Sequence, residues 1–113
     1  MKYTVLITDD SKLQRVILKE NLKDIYDVAE ASCGQECLDL VENSEGKIDV
    51  VLLDIVMPGM DGFEVLRKRQ RSEIFKNIPV IVLTMSDMKE DQELAEQLGA
   101  VLRVPDLLSY HSW

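Results

Sequence analysis

Apolar residues fall in short blocks along this chain, and the period of the pattern changes from block to block. YTVLIT (residues 3–8), IDVVLLD (48–54) and PVIVLT (79–84) are near-continuous apolar or β-branched runs. That is the pattern of strands covered on both faces. YDVAEAS (26–32) alternates and reads as a more exposed strand, and AVLRV (100–104) reads as a short fifth strand stopped by Pro105. The segments between them have helical spacing. SKLQRVILKENL (11–22) sets Leu13, Val16 and Ile17 on one face, with Ser11 as N-cap. GQECLDLVE (34–42) turns Cys37, Leu38 and Val41 inward, and DGFEVLRKRQR (61–71) does the same with Phe63 and Leu66. KEDQELAEQLG (89–99) ends on Gly99, a residue suited to the position just past a helix.

Strand and helix alternate with short connections, which predicts a parallel sheet with helices on both faces, because crossovers are right-handed. The expected fold is a three-layer α/β domain with an open five-stranded parallel sheet, the most apolar strand, IDVVLLD, lying centrally. A single domain over residues 1–113 is expected, without repeats or linkers. After Pro105 only DLLSYHSW remains. At ~1.5 Å per residue this gives one or two turns, too few for a full fifth helix. Residues 106–113 are therefore expected as an atypical tail, with helix 5 short or missing.

Composition narrows the function classes. Hydrophobic residues make up 46% of the 113, enough for a core, and the formal net charge of −8 argues against nonspecific binding to nucleic acid or anionic membranes. The opening MKYTVLITDD meets two acids almost at once and has no small-residue cleavage site, so no secretory signal is expected. Nothing approaches the ~18 apolar residues of a membrane span. Two cysteines are too few for a disulfide framework, which fits a cytoplasmic setting.

In open parallel α/β sheets, sites form at the carboxyl ends of the strands. There the sequence places Thr8, Asp9 and Asp10 after strand 1, Asp54 after strand 3, Thr84, Met85 and Ser86 after strand 4, and Val104 and Pro105 after strand 5. If strands 1 and 3 are neighbours, a strand spacing of ~4.8 Å brings three carboxylates within reach of one ion. Such a group raises its own pKa values unless a cation joins it. Mg²⁺ suits oxygen ligands and keeps several waters. One acid at a strand end is commonly just a polar loop residue, whereas the pair Asp9-Asp10 with Asp54 is a candidate cation site.

Four segments in this order, TDDSKLQR, VVLLDIVMPGMDGFEVL, IPVIVLT and LGA, resemble the receiver (CheY-like) domain of response regulators in two-component signalling systems. The resemblance covers residue 2 to about residue 100. It implies the flavodoxin-like strand order 2-1-3-4-5. It implies that Asp54 accepts a phosphoryl group from the histidine of a partner histidine kinase or histidine phosphotransfer protein, giving an aspartyl phosphate. Asp9, Asp10, Asp54 and the backbone carbonyl of Val56 would hold Mg²⁺ (or Mn²⁺), and Thr84 would be the hydroxyl switch residue. Pro58 and Gly59 suit a tight turn, and Asp61 is expected to cap the next helix and not to serve as a second catalytic acid. Phosphorylation would change protein–protein contacts. The expected role is a signalling module, not a turnover enzyme on an external substrate. No direct nucleic-acid or membrane partner is expected, and a homodimer is left open.

The chain departs from the family pattern at strand 5. A lysine is expected just before the proline, and Val104 stands there. Arg103 is adjacent, but strand alternation turns neighbouring side chains to opposite faces. Three functions therefore compete: a phospho-accepting module, a degenerate pseudo-receiver acting only by interaction, and an enzyme or cofactor binder on the same architecture. The third is disfavoured. The loop after strand 1 opens on two acids, no G-x-G-x-x-G or P-loop is present, and Val56 stands where aspartate-based phosphatases want a second acid. Cys33 and Cys37 lack further ligands for zinc, His111 lies in the tail, and the run 67–71 (RKRQR) is expected to be a solvated face.

Overall fold

The computed structural model describes residues 2–83, 89–100 and 102–103 of the 113-residue chain. Five strands, β1 (Thr4–Thr8), β2 (Asp27–Ala31), β3 (Val50–Leu53), β4 (Val80–Val82) and β5 (Leu102–Arg103), form one parallel sheet in the order β2-β1-β3-β4-β5. Four helices connect them: α1 (Lys12–Leu22), α2 (Gly34–Glu42), α3 (Gly62–Gln70) and α4 (Lys89–Gln97). The expected three-layer α/β fold and its strand order are observed, with β3 central and β2 at an edge. The expectation of a short or missing fifth helix falls on residues outside those described.

The starts of α1, α2 and α3 are each fixed by a side chain that takes an orphan backbone N–H. Ser11 accepts from Gln14 N, Cys33 Sγ from Glu36 N, and Asp61 Oδ1 from Glu64 N at 3.0 Å. Glu36 also reaches back to accept from Ser32 N, so α2 is closed reciprocally, in the manner of a capping box.

The two sheet faces differ. On one, α2, α3 and α4 cover a large core in which Leu6, Cys37, Val41, Val51, Leu53, Val65, Leu66, Phe75 and Val82 are buried. On the other, Val5, Ile7 and Leu83 are buried, and Leu18 and Leu22 of α1 pack beside half-buried Val50 and Leu52. Leu13, Val16 and Ile17 do share a face of α1, but they point away from the sheet and are 70%, 46% and 45% exposed. The sheet-facing stripe is Arg15, Leu18, Lys19 and Leu22, at i, i+3, i+4 and i+7. Arg15 and Lys19 reach Glu30 of β2 from that stripe.

The basic run of α3 needs a correction. Arg67 and Lys68 are exposed as expected, but Arg69 turns inward. It donates from Nε to Ile78 O (2.9 Å) and from a terminal nitrogen to Lys76 O (3.1 Å), with its guanidinium over the Phe75 ring. It thereby anchors a 3-10 turn, Phe75–Asn77, that the hydrophobic pattern does not reveal.

Gly62 opens α3 where the helix meets the strand end. A Cβ there would lie 2.6 Å from Ile55 Cα and 2.7 Å from Asp54 O, both backbone atoms of the segment leaving β3. Backbone cannot swing aside as a side-chain end can. Gly62→Ala is therefore expected to cost about 1–3 kcal/mol, the range of overpacked cores, read as a lowered urea midpoint. An unchanged midpoint would show that α3 shifts freely against β3.

Candidate functional site

The carboxyl end of β1 is held level with its neighbours by the parallel register. Thr8 pairs with Ala31 on one side and with Leu53 on the other. The next residues continue that pairing: Asp9 N donates to Ala31 O (3.1 Å) and Asp54 N to Thr8 O (2.8 Å). Asp9 and Asp54 are thus delivered side by side as the strands end. Asp10 follows at the start of the turn into α1. The three residues each present a carboxylate oxygen, and these oxygens lie within 4.8 Å of one another.

Burial divides the cluster. Asp9 is 1% exposed and Asp54 6%, while Asp10 is open to solvent. Asp9 Oδ1 accepts from Ser11 N at 2.9 Å. Its other oxygen is buried without a hydrogen-bond donor among the described residues. Desolvation is the main cause that raises the Asp9 pKa above its ordinary value of 3.8; the Ser11 amide opposes it, and the charge and close approach of the Asp54 carboxyl and the charge of Asp10 raise it further. Asp54 Oδ1 accepts from Val56 N at 3.1 Å, which folds the segment after β3 back over the strand end. The Val56 side chain is 70% exposed beside it.

A buried carboxylate oxygen without a donor, next to two more carboxylates, fits a cation with several oxygen ligands. The donor set is all oxygen and carries three negative charges, which matches a hard divalent ion such as Mg²⁺.

Beneath the cluster, Thr8 Oγ1 is buried and faces the sulfur of Cys37, a weak partner. Burial pushes the Cys37 thiol up to about 11, so it stays protonated. Cys33 is exposed and free. Behind the cluster stands a residue that the hydrophobic pattern did not single out. Arg15 Nε lies 3.1 Å from Glu30 Oε1, and a terminal nitrogen of Arg15 donates to the main-chain carbonyl of Asp9 at 2.7 Å. The available signal was its place in the sheet-facing stripe with Leu18 and Leu22.

Of the residues expected at the site, the structure brings Asp9, Asp10 and Asp54 together, with the amide of Val56 on Asp54. Asp61 stands apart as the α3 cap, as expected. Thr84 and Val104 lie outside the described residues, as does His111.

The model of the response regulator receiver domain matches residues 5–105, and the chain belongs to that family. Receiver domains of this kind serve two-component signalling. Over 98 residues the chain is 39% identical to a protein of Vibrio cholerae called a probable cyclic di-GMP phosphodiesterase. That match covers 87% of this chain but 22% of the relative, so the chain spans about a fifth of its length. Among solved structures, the chemotaxis response regulator CheY4 of Vibrio cholerae is 29% identical with a TM-score of 0.82, covering 91% of this chain and 85% of that one. The receiver domain of the sensor histidine kinase PA1611 from Pseudomonas aeruginosa, solved with magnesium in its active-site cleft, has the same fold; it is 22% identical with a TM-score of 0.80, covering 91% of this chain and 84% of that one. Among the described residues, no helix is long and apolar enough to cross a membrane.

The raised Asp9 pKa has a consequence for stability with a definite sign. Between 3.8 and the raised value, the folded chain holds a proton that the unfolded chain has lost. Stability therefore falls as pH rises through that window, and the whole cost is present above it. In Asp9→Asn the charge is gone, the side-chain oxygen can still accept from Ser11, and the amide can donate toward Asp54. This variant is expected to unfold at higher urea than the parent in metal-free buffer near neutral pH, with the difference vanishing below pH 3.8. A variant less stable than the parent near neutral pH would contradict this assignment.

Proposed function

We propose that the chain is a receiver domain whose Asp54 accepts a phosphoryl group in a Mg²⁺-dependent reaction. The observation that carries this is the convergence of Asp9, Asp10 and Asp54 within 4.8 Å at the carboxyl edge of the sheet, with one buried oxygen of Asp9 lacking a donor. An oxygen of Asp54 attacks the phosphorus of a phosphohistidine on the partner. The new O–P bond forms as the P–N bond breaks, and the imidazole leaves with the electron pair. Mg²⁺ held by Asp9, Asp10, Asp54 and the Val56 carbonyl would offset charge on the phosphoryl oxygens. Mn²⁺ would serve in the same way. The Val56 amide orients the acceptor carboxylate before attack. Thr84 donates its hydroxyl to a phosphoryl oxygen after transfer.

The donor is a histidine kinase or a histidine phosphotransfer protein. The exposed apolar stripe Leu13, Val16 and Ile17 begins one turn from Asp10 and suits a helical partner bearing the phosphohistidine. The phosphorylated chain then signals through altered protein contacts and performs no turnover on an external substrate. Its net charge of −8 disfavours direct contact with nucleic acid or an anionic membrane. A cytoplasmic location fits a phosphohistidine donor.

Incubation of the full chain with acetyl phosphate and Mg²⁺ is expected to give one base-labile phosphoryl group, seen as a mass gain of ~80 Da. Omitting Mg²⁺ or introducing Asp54→Asn abolishes it. No labelling of the parent chain, with Mg²⁺ and beryllofluoride leaving its spectra unchanged, would favour an interaction-only pseudo-receiver, the reading to which Val104 in place of lysine points.

Val56 is exposed beside Asp54 and has no hydroxyl, amide or carboxyl group in its side chain to orient an attacking water. The acyl phosphate is therefore expected to decay slowly once the donor is removed. Loss of label within seconds in Mg²⁺ buffer would show that another group activates water.

A further inference from the structure

We propose that Arg15 is a positioning residue for the acid cluster: its guanidinium, held by Glu30, clamps the main-chain carbonyl of Asp9 and fixes the turn that presents Asp9 and Asp10. This role rests on the cation-binding function proposed above.

The contacts form a chain from the sheet to the site. Glu30 belongs to β2 and is in register with Ile7 of β1, so its backbone is set by the sheet. Arg15 binds Glu30 at 3.1 Å, and Lys19 reaches the other carboxylate oxygen at 3.7 Å. The Arg15 side chain is 14% exposed, so its contacts are made largely out of water, where charge-assisted hydrogen bonds are strongest. The 2.7 Å bond to the Asp9 carbonyl is the shorter of the two Arg15 contacts.

Asp9 is then held at three points. Its amide donates to Ala31, one carboxylate oxygen accepts from Ser11, and its carbonyl accepts from Arg15. The first two bonds set where the strand ends and which way the side chain turns. The third fixes the peptide joining Asp9 to Asp10, and so the place from which Asp10 departs. The charges bearing on the Asp9 carboxyl are those of Asp54 and Asp10. Arg15 faces the carbonyl instead, which marks it as a support and not as the counter-ion of the cluster.

The sign of one measurement separates support from charge. Removing a nearby positive charge should by itself tighten Mg²⁺ binding. Removing a clamp should weaken it. Mg²⁺ affinity of the full chain, measured by calorimetry at low temperature, is expected to fall about tenfold in Arg15→Gln despite the extra net negative charge, the scale on which loss of an outer-sphere support weakens metal sites. Arg15→Lys, which keeps the charge and one donor group, recovers part of the loss. In metal-free protein, hydrogen exchange at the Ser11 amide is expected to speed up in Arg15→Gln while amides of Leu6 and Val51 stay protected. Tighter Mg²⁺ binding in Arg15→Gln overturns the proposal in favour of a charge effect. Unchanged affinity and unchanged Ser11 exchange, with only a lower melting temperature, overturn it in favour of plain structural support. A parent chain that binds no Mg²⁺ refutes the cation-binding function, and the Ser11 exchange still decides whether Arg15 clamps the turn.

Discussion

Three carboxylates share one corner of this molecule, and electrostatics alone would drive them apart. At separations under 5 Å, two unit charges repel by several kcal/mol even at an intermediate effective dielectric, roughly 3–4 kcal/mol at ε near 20. The corner exists because backbone bonds place it there. Asp9 and Asp54 are the residues immediately after paired strand ends, and their amides donate to Ala31 and Thr8. Asp9 cannot withdraw without opening the edge between β1 and β2, nor Asp54 without opening the edge between β1 and β3. Sheet cohesion on the apolar side, through Leu6, Val51 and Leu53, thus holds the polar edge in a conformation that the charges oppose. This is the sense in which the core serves the site.

That opposition also explains the elements around the edge. The segment after β3 turns sharply, with Val56 N on Asp54, and Gly62 lets α3 start against Ile55 without a side chain between them. Met60, in the same connection, packs on Gly34 at the start of α2. The loop carrying the acceptor is therefore tied to two helices. On the opposite flank, Arg15 ties the Asp9 turn to β2. The acidic edge is supported from both sides by contacts that leave its carboxylates facing each other.

Much of this was legible in the sequence, for identifiable reasons. Near-continuous, short and β-branched runs such as VVLL read as strands covered on both faces, and their alternation with helical segments points to a parallel sheet. Asp61 was legible as a cap because the D-G-F-E spacing puts an acid just before a helix and a glutamate three residues on. Strand order came from the resemblance of four motifs and not from periodicity. The orientation of α1 was not legible, because Leu13, Val16 and Ile17 make the most apolar i, i+3, i+4 set, whereas the sheet-facing stripe contains two cations. Arg15 and Lys19 lie on that stripe because their charged ends find Glu30, a pairing invisible until β2 is placed beside β1. Arg69 escaped for the same reason: its partners are carbonyls of a 3-10 turn seven and nine residues away.

The placement of positive charge gives the site its chemical character. In the family pattern a strand-5 lysine stands at the acceptor; this chain has Val104 at that position. Arg15 lies close by, yet its guanidinium is committed to a carbonyl and to Glu30. A cation so engaged can shape the turn but cannot follow a phosphoryl group. A divalent ion from solution would gain most at the buried oxygen of Asp9, where it would supply a partner and relieve the repulsion from Asp54 in one contact.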